Sequence, residues 1–223
     1  MQRRIITIPP GLLRFLSLDW TIDWRGQSTG QSNAGHSKLV YNAFPIWVGS
    51  PQVVLSDAGL AQWRAVNLQA QGRVGLYRIE MRDPIGFRIP GESRKGNAFS
   101  NGAFFNTGVG VAFQPFGLAV GAVAAGSEQM RIDVSPTGIA PRQGQIMSHD
   151  DWPFAVTWVD HVSGDIYDVG LQMPLRTAIA DDATINLRGH GLFEATDDLM
   201  GRAEYNINRV ARPRLSFREV LNR

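Results

Sequence analysis

One stretch of this chain, Ala58–Gln71, reads as an α-helix of ordinary length, and that single run constrains the fold more than any motif does. It holds no proline and only one β-branched residue, Val66, and Ser56 or Asp57 can cap it. Leu60, Ala61, Ala65 and Leu68 share a face, with Trp63 and Val66 on its flank. Gly72 is placed to end the helix in a left-handed turn. At this spacing Trp63 reads as core and not as a ligand platform. Elsewhere the chain is punctuated by 24 Gly and 12 Pro in 223 residues, too many for a helical bundle and ordinary for strands joined by turns. With 43% hydrophobic and 19% charged residues, a packed core is within reach and wholesale disorder is excluded.

The strand pattern is clearest at Leu16–Trp24, where Leu16, Leu18, Trp20, Ile22 and Trp24 alternate with Ser17, Asp19, Thr21 and Asp23. Residues 26–35 (GQSTGQSNAG) carry no apolar anchor and read as a mobile loop. Lys38–Val54 reads as one or two strands, split or held to an edge by Pro45 and Pro51. Arg73–Met81 reads as a strand that Asp83-Pro84 stops. After Pro90 the character changes: Gly91–Gly126 is loop-like. Short strands follow at Gln129–Val134, Gln145–Ser148, Phe154–Val159, Asp165–Met173 and Thr184–Leu187, and five of them in about sixty residues suggest a small antiparallel barrel or sandwich. Arg214–Val220 closes the chain as a last strand.

Charge divides the chain in the same way. Residues 1–100 carry twelve Lys/Arg against six Asp/Glu, residues 145–200 two against ten, and residues 201–223 six against two. The basic ends therefore belong together around an acidic central module. The basic residues are scattered, with no recurring aromatic-plus-basic motif, so specific nucleic-acid recognition is not expected. Residues 96–127 are uncharged, but Gln114, Pro115 and five glycines within residues 107–126 argue against a membrane span and for loops or buried strands at a subunit contact. Arg3 and Arg4 precede Ile5 and Ile6, but Pro9 and Pro10 interrupt the apolar stretch too early for a signal peptide.

Candidates for chemistry are few. The chain has no cysteine, which removes disulfides, thiolate catalysis and iron–sulfur clusters. His149-Asp150-Asp151 and Asp160-His161 are the His–carboxylate neighbours, but their spacing matches no metal motif, and polar residues collect at strand ends anyway. The pairs Asp150/Asp151, Asp181/Asp182 and Asp197/Asp198 suit turns and caps better than a glycosidase, whose two carboxyls face each other across a cleft. No nucleophile elbow, nucleotide fingerprint or Walker loop is present. Gly189-His190-Gly191 reads as a turn. The residues point to no catalytic, cofactor-binding or metal-binding site. They describe a β-rich chain in two parts, the basic ends and the acidic centre.

The order of these features resembles the distal tail proteins of long-tailed bacteriophages, prophages and gene transfer agents. The likeness rests on an ordered set that spans nearly the whole chain. It begins with the strand carrying Trp20 and Trp24, the polar loop and the helix text Leu60-Ala-Gln-Trp-Arg-Ala65, then Gln71-Gly-Arg73 and Arg82-Asp-Pro84. It continues through residues 126–133 (GSEQMRID), 143–148 (QGQIMS), 155–159 (AVTWV), 173–176 (MPLR) and 181–185 (DDATI), and closes on the Ser216–Val220 strand. The resemblance implies a structural virion protein of the tail that is not an enzyme and uses no cofactor. It also implies a mainly β fold: residues 1–90 and 190–223 as a discontinuous ring-forming hub, a β-sandwich with one helix completed by C-terminal strands, and residues 91–189 as a linker plus an inserted small antiparallel β-barrel. Such proteins form a ring, usually of six copies, between the tail tube and the tail-tip or baseplate hub, near the tape measure protein. Twenty Arg against two Lys suits interfaces built on bidentate carboxylate pairing, and residues 26–35 are expected to order on a neighbour. The competing expectation is a carbohydrate- or receptor-binding β module that presents Trp152 and Trp158 on one exposed face.

Overall fold

The computed structural model describes residues 3–9, 11–13, 15–31, 35–40, 44–83, 86–87, 103, 114–205, 207 and 209–222. In chain order the first elements are β1 (Ile5–Thr7), β2 (Phe15–Ser17), β3 (Thr21–Asp23), β4 (Gln27–Gln31), β5 (Ser37–Val40), β6 (Ile46–Gly49), β7 (Gln52–Val53), β8 (Leu55–Ser56), α1 (Asp57–Ala70) and β9 (Leu76–Glu80). There follow β10 (Phe116–Ala119), β11 (Gln129–Asp133), β12 (Ile146–His149), β13 (Trp152–Ser163), β14 (Ile166–Leu171), β15 (Thr184–Asn186), β16 (His190–Ala195), β17 (Val210–Ala211) and β18 (Phe217–Glu219). The chain divides into two compact units, Met1–Ile79 with Gly191–Arg223, and Glu80–His190. The fold is mainly β, with one helix among the described residues.

The first unit is built on a six-stranded mixed sheet in the order β1-β9-β16-β18-β6-β3. β1 runs parallel to β9, whereas β18 pairs antiparallel with both β16 and β6. The strand nearest the C-terminus therefore lies inside a sheet otherwise built largely from the N-terminal third. Its core is aromatic: Trp63, Tyr77, Phe193 and Phe217 are all fully buried. Tyr77 meets Trp63 at 6.5 Å and Phe217 at 5.6 Å between ring centroids. Trp20 lies 4.9 Å from Phe193 and covers Gly49, where a Cβ would collide with the indole.

The helix buries Leu60, Trp63, Val66 and Ala70, a narrow i, i+3, i+6, i+10 stripe. The expected face of Leu60, Ala61, Ala65 and Leu68 is thus rotated, and Leu68 is 70% exposed. Trp63 is the anchor, 1% exposed, and its Nε1–H donates to the Gly201 carbonyl at 2.7 Å. A ring this large sets the helix's rotation over the sheet, whatever smaller residues prefer. Ser56 holds the N-cap backbone position without a side-chain cap bond, and the left-handed turn starts at Gln71, one residue before Gly72. Gly201 sits at φ 75° against the Trp63 indole, so a side chain there meets both backbone strain and a clash. Gly201→Ala is expected to cost about 1–3 kcal/mol in a urea unfolding series, with α1 losing its seat.

The second unit holds a closed antiparallel barrel in the order β10-β11-β14-β13-β12-β15. Its interior is filled by Ile132, Met147, Phe154, Val169, Ile185 and Leu187, with further apolar neighbours. β10 falls inside the uncharged stretch read as loop-like. It pairs with β11 and β15 and closes the barrel, because Ala119 points into the core and Gly117 lets β11 approach.

Several expectations change. The alternation at Leu16–Trp24 holds in side-chain exposure from Ser17 to Asp23, but not as one strand. It breaks between β2, which pairs with β7, and β3, which joins the large sheet beside β6. Residues 27–31, read as loop, form β4 and pair with β5 in a hairpin of their own. Polar Gln, Ser and Thr satisfy a backbone ladder without an apolar face. Residues 32–34 lie outside the described residues, as do most of 84–113, where the linker was read. Gly189-His190-Gly191 is no simple turn: His190 opens β16, and Gly189 lies against the backbone of Ile146 and Met147.

Candidate functional site

His149 and Trp152 face each other across a two-residue hairpin turn, Asp150-Asp151, whose φ values of 46° and 63° give the mirror-image turn that suits strand twist. His149 Nδ1 lies 3.0 Å from the Thr184 carbonyl, and its Nε2 is 3.3 Å from Asp150. His161 stands nine residues beyond Trp152 on the same strand, roughly 30 Å away at strand rise, with Nε2 2.9 Å from the Gly164 carbonyl. The two His–Asp pairs therefore do not converge, and among the described residues no group of three metal-ligating side chains forms.

The remaining carboxylate pairs have structural tasks. Asp181 Oδ1 accepts from the Gly121 and Asp182 amides at 2.7 and 3.1 Å. Asp197 Oδ1 accepts from the Leu199 amide at 3.1 Å. Asp198 takes both prongs of Arg73, at 3.0 and 3.1 Å, and the hydrogen bond from that guanidinium holds its carboxyl below the usual range.

Glu194 joins the two ends of the first unit: it accepts from Arg3 at 2.8 Å and makes a short bond with Arg218. Burial pushes this carboxyl up, and the two arginines more than offset it, so its net pKa is lowered. A carboxyl with a depressed folded pKa stabilises the fold above its unfolded value of about 4.3 and loses that contribution as pH falls through the folded value. Glu194→Gln is expected to cost about 1–3 kcal/mol at pH 7. The gap between variant and wild type should shrink as pH drops below about 4, measured by urea unfolding. Tyr77 is pushed up to about 12 by burial, and its hydroxyl lies 3.1 Å from Asn67 Oδ1.

Trp152 and Trp158 do not share a face. They are six residues apart and would do so on a regular strand, but a bulge between Val156 and Trp158 inverts the phase of β13. Trp152 keeps the phase of the core residues Phe154 and Val156, and lies at the barrel end with the Arg176 guanidinium 5.6 Å over its ring. Trp158 turns outward, 40% exposed, with its indole across Gly170 of β14, where any Cβ would overlap the ring. The register continues this row to Gln129 on β11, and the next row reads Asp160, Asp168, Arg131. Arg131 binds Asp168 through both prongs, at 2.7 and 2.9 Å. Sequence reading found Trp158 but not this platform, because a single-residue bulge leaves no periodic signal.

The first unit presents apolar edges. The β4–β5 hairpin is a two-stranded sheet by itself, with Leu39 72% exposed and Val40 exposed beside it. Between α1 and the segment that follows Asp198 runs an open groove, lined by Leu68 and Tyr205 with Arg64, Arg202 and Arg209 and with Asp57 and Asp198. The first unit holds fourteen Lys/Arg against eight Asp/Glu, and the second eight against twelve. No described helix is long and apolar enough to cross a membrane. These features define a mainly β protein with an inserted barrel and exposed apolar edges. No model of a known protein family matches the chain, and no curated protein matches it.

Proposed function

We propose that this chain is a structural virion protein, a distal tail subunit that closes into a ring, six copies being the expected number, between the tail tube and the tail-tip or baseplate hub of a long-tailed phage or gene transfer agent. The observation that carries the reading is the β4–β5 hairpin. It carries exposed Leu39 and Val40 and forms a two-stranded sheet of its own, and an isolated two-stranded sheet is marginal in water. A neighbouring copy supplies what it lacks. The discontinuous hub with an inserted closed barrel and the ordered sequence likeness support the same reading. A ring requires a heterologous contact, one surface meeting a different one on the next copy. The hairpin and the α1 groove are two such surfaces. The partners are then other copies of the chain, the tail tube protein, the tip hub and the tape measure protein, and the location is the virion tail. The test is negative-stain imaging of the purified protein: annular particles are expected, and single small particles at every concentration contradict the proposal.

A further inference from the structure

We infer that the outer face of β13, β14 and β11 is a carbohydrate subsite, in which one pyranose ring of a surface glycan stacks on Trp158 and hydrogen-bonds to the adjoining row of Asp160, Asp168 and Arg131. The inference goes beyond the ring reading and does not depend on it.

A pyranose offers two kinds of surface: a patch of C–H groups on one side of the ring, and an edge of neighbouring hydroxyls that each donate and accept. The patch needs an aromatic face, whose negative quadrupole attracts polarised C–H. Trp158 supplies one in a fixed pose. Its lower side is seated on Gly170, and the ring remains 40% exposed. An indole covering a strand glycine also has a structural use, since it shields the bare backbone. That use accounts for one side of the ring and for none of its polar neighbours.

The neighbours form the second half of the argument. Along a strand, same-face residues repeat about every 6.6 Å, so Asp160 is one step from the indole. Asp160 stands directly opposite Asp168 across the ladder. Like charges facing each other across strands are destabilising, and β-branched neutral residues would serve the sheet better. Arg131 neutralises Asp168 through its bidentate bond, while the Asp160 carboxylate has no hydrogen bond or ion pair among the described residues. The row therefore presents a free carboxylate beside a guanidinium–carboxylate pair, with the exposed Gln129 one row away. That is a mixture of donors and acceptors suited to vicinal hydroxyls. A site for a cationic group would be acceptors only, and Arg131 opposes it. The face is open and holds one ring, so affinity for a monosaccharide is about millimolar. Several copies brought together would raise it by avidity.

The experiment uses the full chain labelled with 5-fluorotryptophan and followed by fluorine NMR, the Trp158 signal being assigned with Trp158→Phe. The probes are the methyl glycosides of glucose, galactose, mannose, N-acetylglucosamine and rhamnose, each titrated to about 50 mM, well above the expected half-saturation. Tetramethylammonium is the cationic probe. At least one glycoside should shift the Trp158 signal saturably and leave that of buried Trp63 in place. Asp160→Asn should weaken that binding about tenfold, with the remaining signals unchanged to report an intact fold. The inference is overturned if no glycoside moves the Trp158 signal, if only tetramethylammonium does, or if Asp160→Asn leaves the response as it was.

Discussion

Replacing Trp63 with alanine is expected to destabilise the first unit by roughly 3–5 kcal/mol, the largest loss from any single truncation in the chain. Three contributions fall together. The indole is 1% exposed, so its removal leaves a cavity between α1 and the sheet. Its N–H no longer reaches the Gly201 carbonyl, which is left buried and unpaired. The stacked contact with Tyr77 is lost, and with it one end of the aromatic chain through Phe217 to Phe193. Thermal unfolding followed by far-UV circular dichroism checks this. A melting curve like that of the wild type would mean the helix is held by something other than its tryptophan. Trp63→Phe should recover much of the loss, because the ring's bulk returns and only the hydrogen bond stays missing.

Replacing residues 27–40 by a short Gly/Ser linker is expected to leave a folded monomer that no longer assembles. Among the described residues, hairpin β4–β5 pairs only with itself, so its removal takes no strand from the six-stranded sheet or the barrel. What it removes is exposed Leu39 and Val40 and a pair of strand edges, the features that invite pairing with another chain. Light scattering on the purified variant, beside a melting curve, separates the two effects. Loss of the assembled species with an unchanged melting temperature is the expected result, and normal assembly would remove the hairpin from the account.

The contrast between these two sites also marks how far the amino-acid sequence could be read. Trp63 was legible as core because a lone helix with one large aromatic leaves it nowhere else to go. The helix's rotation was not, since Leu68 and Ala65 satisfy the periodicity as well as Val66 and Ala70 do, and only the sheet decides between them. The barrel strands β11 to β15 were legible because turn residues bound their apolar runs, although β13 continues to Ser163, beyond the expected end at Val159. β16 was not. As an interior strand it buries Gly191, Leu192 and Phe193 consecutively, so it lacks alternation, and its opening Gly-His-Gly imitates a turn. β4 was hidden by polarity, since backbone pairing needs no apolar residue. The Trp158 platform was hidden by the bulge that flips it away from Trp152. Arginine usage was read as a sign of interfaces, yet Arg3, Arg73, Arg131 and Arg218 all bind carboxylates of their own chain.

The central claim is that this protein acts by assembly, and the most direct test is its mass in solution. Light scattering across a concentration series, on the full chain at moderate salt, should resolve a closed species. Six copies of a 24.6 kDa chain would weigh about 150 kDa, and the mass should plateau there, because a ring has no free end to extend. A protein that stays at the mass of one chain at every concentration, and is absent from purified tails, contradicts the account.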